Sequence, residues 1–402
     1  MGVNNNSILE AINYNVLSLF SGGGFLDIGF INQGFQITEA VEINQYFIEA
    51  YNFGLKSYFE KSENQYIKNG TVKHIPTLQP VDASCKKQQR RLKIEHSNIT
   101  GIIGGPPCQD YSVGGKNGGI EGERGRLIYS YLDIVKKIKP KFLFFENVEG
   151  LYKTKRHRIA FDAFVKEIEN SGYYVWHDLL NVLEYGYPQD RPRIALVAFQ
   201  KRIINKVKKA GFQLEFDNLK LKYSHVENQV FHWPSPLFKN PKKFKWPENW
   251  EFGNSKGEFE LNGHSSLCVQ SVIGDLTDEH PNQKEHFNPK SIKFSEISEG
   301  DTNRKSFKRL HRFKYSPTVA YGNNEVHLHP TKPRRLTVRE GLRLQTVPDE
   351  YILPEEMPLT PKFKLISNGV PTAKAELIAI EIKRTLNLYY DIIRKEDSEN
   401  LS

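Results

Sequence analysis

Cysteine is scarce in this chain. Three occur in 402 residues, Cys85, Cys108 and Cys268, an odd number with no CxxC pair, which argues against a disulfide framework or a cysteine zinc site and for a reducing compartment. No stretch approaches the ~20 apolar residues of a membrane helix, and the opening MGVNNNSILEAINYN lacks a basic segment followed by an apolar run. Met1-Gly2 followed by Ser7 misses the spacing of a myristoylation signal. No internal repeat and no low-complexity tract is evident. These absences lead us to expect a soluble, cytoplasmic protein with no membrane partner and no metal.

The length suits one large α/β domain and a smaller one, each with its own core. Hydrophobic residues make up 38% and aromatics 12%, as in a globular protein rather than a disordered one. Lys and Arg number 56 against 47 Asp and Glu, a formal charge of +9. That balance suits a polyanionic partner and equally a basic soluble enzyme.

From residue 16 to 199 short apolar runs alternate with amphipathic stretches, as parallel strands linked by crossover helices do. Strands are expected at 16–20, 37–41, 99–103, 142–145 and 194–199. Between two of them Leu127, Tyr131, Ile134, Val135 and Ile138 recur at helical spacing until Pro140 stops the run. A second helix, 158–171, carries Phe161, Phe164, Val165 and Ile168 on one face before Gly172. The alternation predicts a doubly wound, Rossmann-like sheet. After about Lys201 the texture turns irregular and basic, with Trp233, Trp246 and Trp250 among prolines, asparagines and lysines. This is a structural insertion or a substrate-reading module. Residues 373–393 look helical again. The expected division is 1–205 catalytic and cofactor-binding, 206–332 target-recognition, and 333–402 returning to the catalytic domain.

Four places carry candidate chemistry. Leu19 to Gly24 form a glycine-rich turn at the carboxyl edge of the sheet, a tight connection or a cofactor cradle. Glu42 follows the next strand, where acidic residues accept ribose hydroxyls. Gly104-Gly105-Pro106-Pro107-Cys108-Gln109 runs from an apolar strand into a rigid double-proline turn that presents one cysteine just outside the run, where a nucleophile belongs. The glycine-rich stretch 112–125 beyond it can close over a substrate. Glu146-Asn147-Val148 ends a strongly apolar strand; a buried carboxyl there can hold its proton near neutrality, and a solvated turn is the plainer reading. Gln189-Asp190-Arg191-Pro192-Arg193 sets two guanidinium groups at the entrance of the last strand, as a clamp for phosphate or a pyrimidine carbonyl, or as surface charge.

Taken together and in this order, these residues resemble the cytosine-5 DNA methyltransferases of bacterial restriction–modification systems. Residues 19–29 are similar to the family's first motif, Gly105-Pro106-Pro107-Cys108-Gln109 to its nucleophile motif, Glu146-Asn147-Val148 to its acid motif and 189–193 to its paired-arginine motif. Further on, 335–349 is similar to the motif supporting the recognition region, and Asn368-Gly369-Val370-Pro371 to the motif that returns to the cofactor pocket. The resemblance spans about 16 to 380, with 201–332 its variable part.

That resemblance implies S-adenosylmethionine as cofactor, held by Phe20, Ser21, Gly22, Gly24, Glu42, Ile43, Thr71, Pro106, Asn368 and Val370. Two positions depart from the pattern. Gly24-Phe25 replaces a glycine pair, so a side chain stands near the methionine moiety, and the third motif reads Gly70-Thr71-Val72, with the Thr71 hydroxyl left to meet the adenine. By the same resemblance Cys108 adds to carbon 6 of cytosine, Glu146 donates to ring nitrogen 3, and Asn147 fixes Glu146. Arg193 holds the ring carbonyl, while Arg191 orients the active-site loop and a backbone phosphate. The enamine carbon takes the sulfonium methyl, and loss of the carbon 5 proton expels the cysteine. A stacked base cannot react this way, so the target is flipped out of the duplex.

The expected partners are double-stranded DNA, contacted by Gln109, Ser112, Arg124, Arg304, Arg309 and Arg312, and a cognate restriction endonuclease acting on the same site. A monomer associated with the nucleoid is expected. Two other readings stand beside this one. A branch of the family methylates tRNA, generally with a shorter variable region. A nicotinamide oxidoreductase would also use a Rossmann sheet, but would not require Cys108, Glu146 and the arginine pair.

Overall fold

The computed structural model describes residues 13–107, 126–210, 230–254, 259–288, 291–319 and 327–400. Cys108, Gln109, Ser112, Arg124 and all of the glycine-rich stretch 112–125 lie outside the described residues.

Strands of four to nine residues build one sheet from β1 (Tyr14–Leu19), β2 (Phe35–Val41), β3 (Gly101–Gly104), β4 (Phe142–Val148), β5 (Tyr173–Asn181) and β7 (Pro192–Gln200), with a two-residue β6 (Gln189–Asp190) ahead of β7. Their order is β2-β1-β3-β4-β7-β5. The first four are parallel, as expected. Only β7 is reversed: it runs antiparallel to both its neighbours, β4 and β5, so β5 points the same way as the first four. The doubly wound, Rossmann-like sheet expected from the alternation is present, with one reversed strand that the apolar pattern did not mark. β5 was not expected either, because Tyr173–Asn181 is half-buried along most of its length and shows no continuous apolar run.

The sheet is covered on both faces. Successive residues of a strand point to opposite sides, so Phe142 and Phe144 of β4 join a core with Phe30, Phe35 and Ile378, while Leu143 and Phe145 join another with Leu17, Tyr131 and Phe164. Helices α1 (Phe25–Ile31), α2 (Gln45–Lys61), α3 (Gln65–Lys68) and α4 (Lys86–Glu95) follow β1 and β2; α5 (Arg126–Ile138), α6 (Glu149–Lys153), α7 (Lys155–Asn170) and α8 (Lys201–Lys209) follow β3, β4 and β7. The expected helices at 127–138 and 158–171 correspond to α5 and α7.

Beyond α8 regular structure thins to α9 (Gln270–Ile273), α10 (Lys293–Glu296) and the two-residue strands β8 (Lys308–Arg309), β9 (Ser316–Pro317) and β10 (His327–Leu328). The tryptophans there build small cores instead of offering open faces: Trp246 packs against His264 and Tyr315, and Trp250 against His311 and Phe313. β9 pairs with β6, which stitches this region to the entrance of β7.

Helices α11 (Val338–Leu344), α12 (Leu359–Asn368) and α13 (Thr372–Asn400) complete the chain. The Thr337 hydroxyl and Glu340 carboxylate form a capping box that fixes the start of α11. α13 lies directly on α1. Contact is closest at Gly29, where a methyl group would meet Ala375 Cβ at 2.5 Å and the Glu376 nitrogen at 2.6 Å. The Tyr14 hydroxyl donates to Asn387 from the first turn of β1, so α13 is anchored to the start of the sheet. Among the described residues no helix is long and apolar enough to cross a membrane.

Candidate active site

At the carboxyl edge of the parallel strands the backbone after β1 turns back on itself. Phe20, Gly22 and Gly24 all take positive φ, at 57°, 55° and 81°, which glycine adopts without strain. The Ser21 nitrogen donates to the Val41 carbonyl and the Gly24 nitrogen to the Ser21 carbonyl. Glu42, just past β2, spans the gap: its Oε2 accepts from the Gly22 nitrogen at 3.0 Å and its Oε1 from the Ile43 and Asn44 nitrogens at 2.8 Å each. No atom lies within 4 Å of where a side chain on Gly22 would begin. Ile43, beside it, is 61% exposed. The turn therefore borders open space, with a carboxylate and an apolar side chain at its rim.

Thr71 does not reach this rim. The Lys73 nitrogen, two residues on, donates to the Gln36 side chain at the amino end of β2, and the strand carries its two ends roughly 20 Å apart. The segment then runs beside β2 and arrives at Glu42 only at Pro80, which bridges Glu42 in parallel, with the Val81 nitrogen donating to the Glu42 carbonyl. The adenine contact expected of Thr71 is not supported by its position: Pro80 and Val81, not Thr71, lie beside Glu42. Spacing from β2 could not reveal this, because the intervening chain is irregular. Phe25 is likewise relocated. Its ring is buried between Tyr351, edge-on at 5.3 Å, and Gly369, where a methyl group would lie 2.3 Å from it.

Two strands over, β3 leads into Gly105-Pro106-Pro107, the last described residues before Cys108. Asn147 Nδ2 donates to the Pro106 carbonyl at 3.1 Å, tying this turn to the end of β4. Asn147 thus holds the double-proline turn, in place of the expected grip on the Glu146 side chain. Glu146 is 7% exposed, and its two oxygens face different ways. Oε1 lies 3.7 Å from Arg193 Nε and 3.8 Å from Lys374 Nζ. Oε2 lies 3.6 Å from where a side chain on Gly105 would begin, toward the turn that carries Cys108. Arg193 arrives there by register: Glu146 pairs with Ala195, so Arg193 is its diagonal neighbour on the same face.

Arg191 does something other than expected. It is 2% exposed, and its guanidinium donates to the carbonyls of Val319 at 3.1 Å and of Ser367 and Gly369 at 2.8 Å each. A group so enclosed cannot meet a backbone phosphate. It brackets β7, the variable region and the 368–370 motif together. Asn368 itself is exposed and Val370 buried. Replacing Arg191 by methionine is expected to cost on the order of 3 kcal/mol, because three buried carbonyls lose their donor, and to lower the urea midpoint of unfolding accordingly.

Comparison with known proteins decides the family. The model of the C-5 cytosine-specific DNA methylases matches residues 14–384. The chain belongs to that family. It is 39% identical over 381 residues to the Type II methyltransferase M.NmeDI of Neisseria meningitidis serogroup C, covering 94% of this chain and 85% of that protein. To the Type II methyltransferase M.FnuDI of Fusobacterium nucleatum it is 29% identical over 395 residues, covering 92% and 94%. Among solved structures, the S. pombe Dnmt2 methyltransferase superposes with a TM-score of 0.55 at 14% identity, covering 92% of this chain and 99% of that one; a likeness at that identity speaks for the fold alone. This protein is a DNA cytosine-5 methyltransferase of the restriction–modification type.

Of the arginines expected to read DNA, the methylase leaves Arg304 at the surface, with its side chain 41% exposed and paired to Asp301 at 3.0 Å. Arg309 is fully buried and donates to the carbonyls of Phe294, Ile297, His329 and Lys332. Arg312 is held by Glu299 at 3.0 Å and lies over the Trp250 ring. Both latter residues are corrected from DNA contacts to supports of the variable region. A charged residue read from sequence defaults to the surface; neighbouring carbonyls enclose Arg309, and the Glu299 carboxylate holds Arg312 half-buried.

Proposed function

We propose that this methylase transfers a methyl group from S-adenosylmethionine to carbon 5 of a cytosine turned out of a specific duplex sequence, through a covalent adduct to Cys108. The observation that carries the reading is the divided environment of Glu146: Oε1 against two cations and Oε2 toward the double-proline turn that leads to the cysteine. Open space beside Gly22, the Glu42 carboxylate and exposed Ile43 suit a nucleoside cofactor, with Phe20, Ser21, Gly24, Pro80, Val81 and the 368–370 motif around it. Bound there, S-adenosylmethionine supplies an electrophilic methyl carbon.

The chain's own groups make carbon 5 reactive. Cys108 thiolate adds to carbon 6 while Glu146 gives a proton to ring nitrogen 3, so charge does not accumulate on the ring. Arg193 holds Glu146 and the ring carbonyl. Loss of the carbon 5 proton later expels the thiolate and returns the nitrogen proton to Glu146. A stacked cytosine cannot meet these groups, so the base leaves the helix, at a cost of a few kcal/mol. The methylase acts as a monomer near the nucleoid and protects host DNA from a cognate endonuclease.

Duplexes carrying 5-fluorocytosine at the recognition site test the reading, since fluorine at carbon 5 blocks release of the cysteine. A denaturation-resistant protein–DNA adduct that maps to Cys108 is expected, with none on tRNA. Adduct formation on tRNA alone would move the substrate class, and no adduct on either would remove the mechanism.

A further inference from the structure

The 372–400 helix brings one group to this site that sequence reading passed over. Lys374 stands in the first turn of α13, just after the 368–370 motif. The Thr372 nitrogen donates to the Gln345 carbonyl and the Ala373 nitrogen to the Thr346 hydroxyl, which fixes that turn against the end of α11. The Arg191 bracket fixes the loop before it. Lys374 is 1% exposed, and its Nζ has no hydrogen-bond partner among the described residues. An ammonium group is costly to bury unless a counter-charge faces it. The acid that faces it is Glu146, at 3.8 Å.

We propose that Lys374 is a positioning residue for methyl transfer, which, with Arg193, holds Oε1 of Glu146 so that Oε2 is presented to the target ring. The proposal rests on the role of Glu146 given above. Two cations on one oxygen fix the carboxyl's rotation, and they also stabilise the carboxylate left after its proton passes to ring nitrogen 3. When the proton returns, Glu146 is ready for the next base. Below neutrality Lys374 keeps its own proton throughout.

The charged groups around Lys374 are Glu146 from β4, Arg193 from β7 and Arg191 immediately before β7. Burial depresses the amine to about 7; Glu146 opposes that shift and the two arginines add to it. The hold on Glu146 is therefore complete below neutrality and fades as pH rises through 7. Methyl transfer inherits that fall in kcat.

The test compares native enzyme, Lys374→Met and Lys374→Arg by single-turnover transfer of labelled methyl to a cognate duplex, across pH 6 to 9. Lys374→Met is expected to lower kcat by about 10- to 100-fold, with KM for duplex and cofactor within about threefold. Lys374→Arg is expected to recover most of the rate and to lose the fall above neutrality, since guanidinium stays charged. Binding of S-adenosylhomocysteine by calorimetry shows that each variant is folded. A kcat for folded Lys374→Met within about twofold of native overturns the proposal. If that variant does not fold, the native and Lys374→Arg profiles decide: coincident profiles above neutrality overturn it. Adduct formation with 5-fluorocytosine by native enzyme separates the cases, because its absence sinks the reading of the site, whereas an adduct with unchanged Lys374→Met kinetics sinks only the lysine.

Discussion

Replacing Cys108 by serine abolishes methyl transfer and leaves duplex binding in place. A thiol with an ordinary pKa is about 3% thiolate at pH 7 and strongly nucleophilic in that form. A serine hydroxyl has no comparable anion at neutral pH. The drop in turnover should reach about 10³-fold or more, measured as labelled methyl incorporated into duplex. Gel-shift affinity should stay close to native, since one sulfur contributes little to a contact dominated by phosphate charge. Turnover by the serine variant within tenfold of native would mean that another group attacks carbon 6.

Glu146→Gln follows closely in size. Glutamine keeps the shape and the hydrogen-bonding length of glutamate but cannot hand over a proton, and it leaves the Arg193 and Lys374 charges facing an amide. A loss of about 10² to 10⁴ in kcat is expected, with a modest change in cofactor affinity, because Glu42 and the Phe20–Gly24 turn lie at a separate part of the sheet edge. A rate profile for Glu146→Gln that matches native at every pH would take proton donation away from this residue. Loss of cofactor binding instead would make it a structural prop.

Much of this arrangement was legible in the residues alone. The run at 142–145 is continuous and apolar because β4 is buried on both faces, and such strands announce themselves; those at 16–20 and 37–41 keep enough apolar residues to show despite Ser18, Thr38 and Glu39. β5 did not, because it closes an edge and its side chains are only half covered. Glu146 and Arg193 stood out because each ends or opens an apolar strand, and the structure sets them 3.7 Å apart. Arg191, Arg309 and Arg312 were misplaced for one shared reason: what holds them is carbonyls and a carboxylate from other segments, 12 residues or more along the chain, which no local pattern encodes. Thr71 was misplaced because position along an irregular edge depends on the path of the chain. Lys374 gave no signal, since a lysine in an amphipathic helix reads as solvent-facing until the helix is seen lying across the sheet.

The anchoring of α13 at Tyr14 has a consequence for how the gene can be arranged. The ring of Tyr14 lies 6.2 Å from that of Tyr390, so the helix that closes the catalytic half rests beside the strand that opens it. A polypeptide in which α13 was translated ahead of β1, joined by a short linker and begun within the variable region, would keep the same packing. Order of synthesis and order in space are separable here, and a circularly permuted enzyme should modify DNA as this one does.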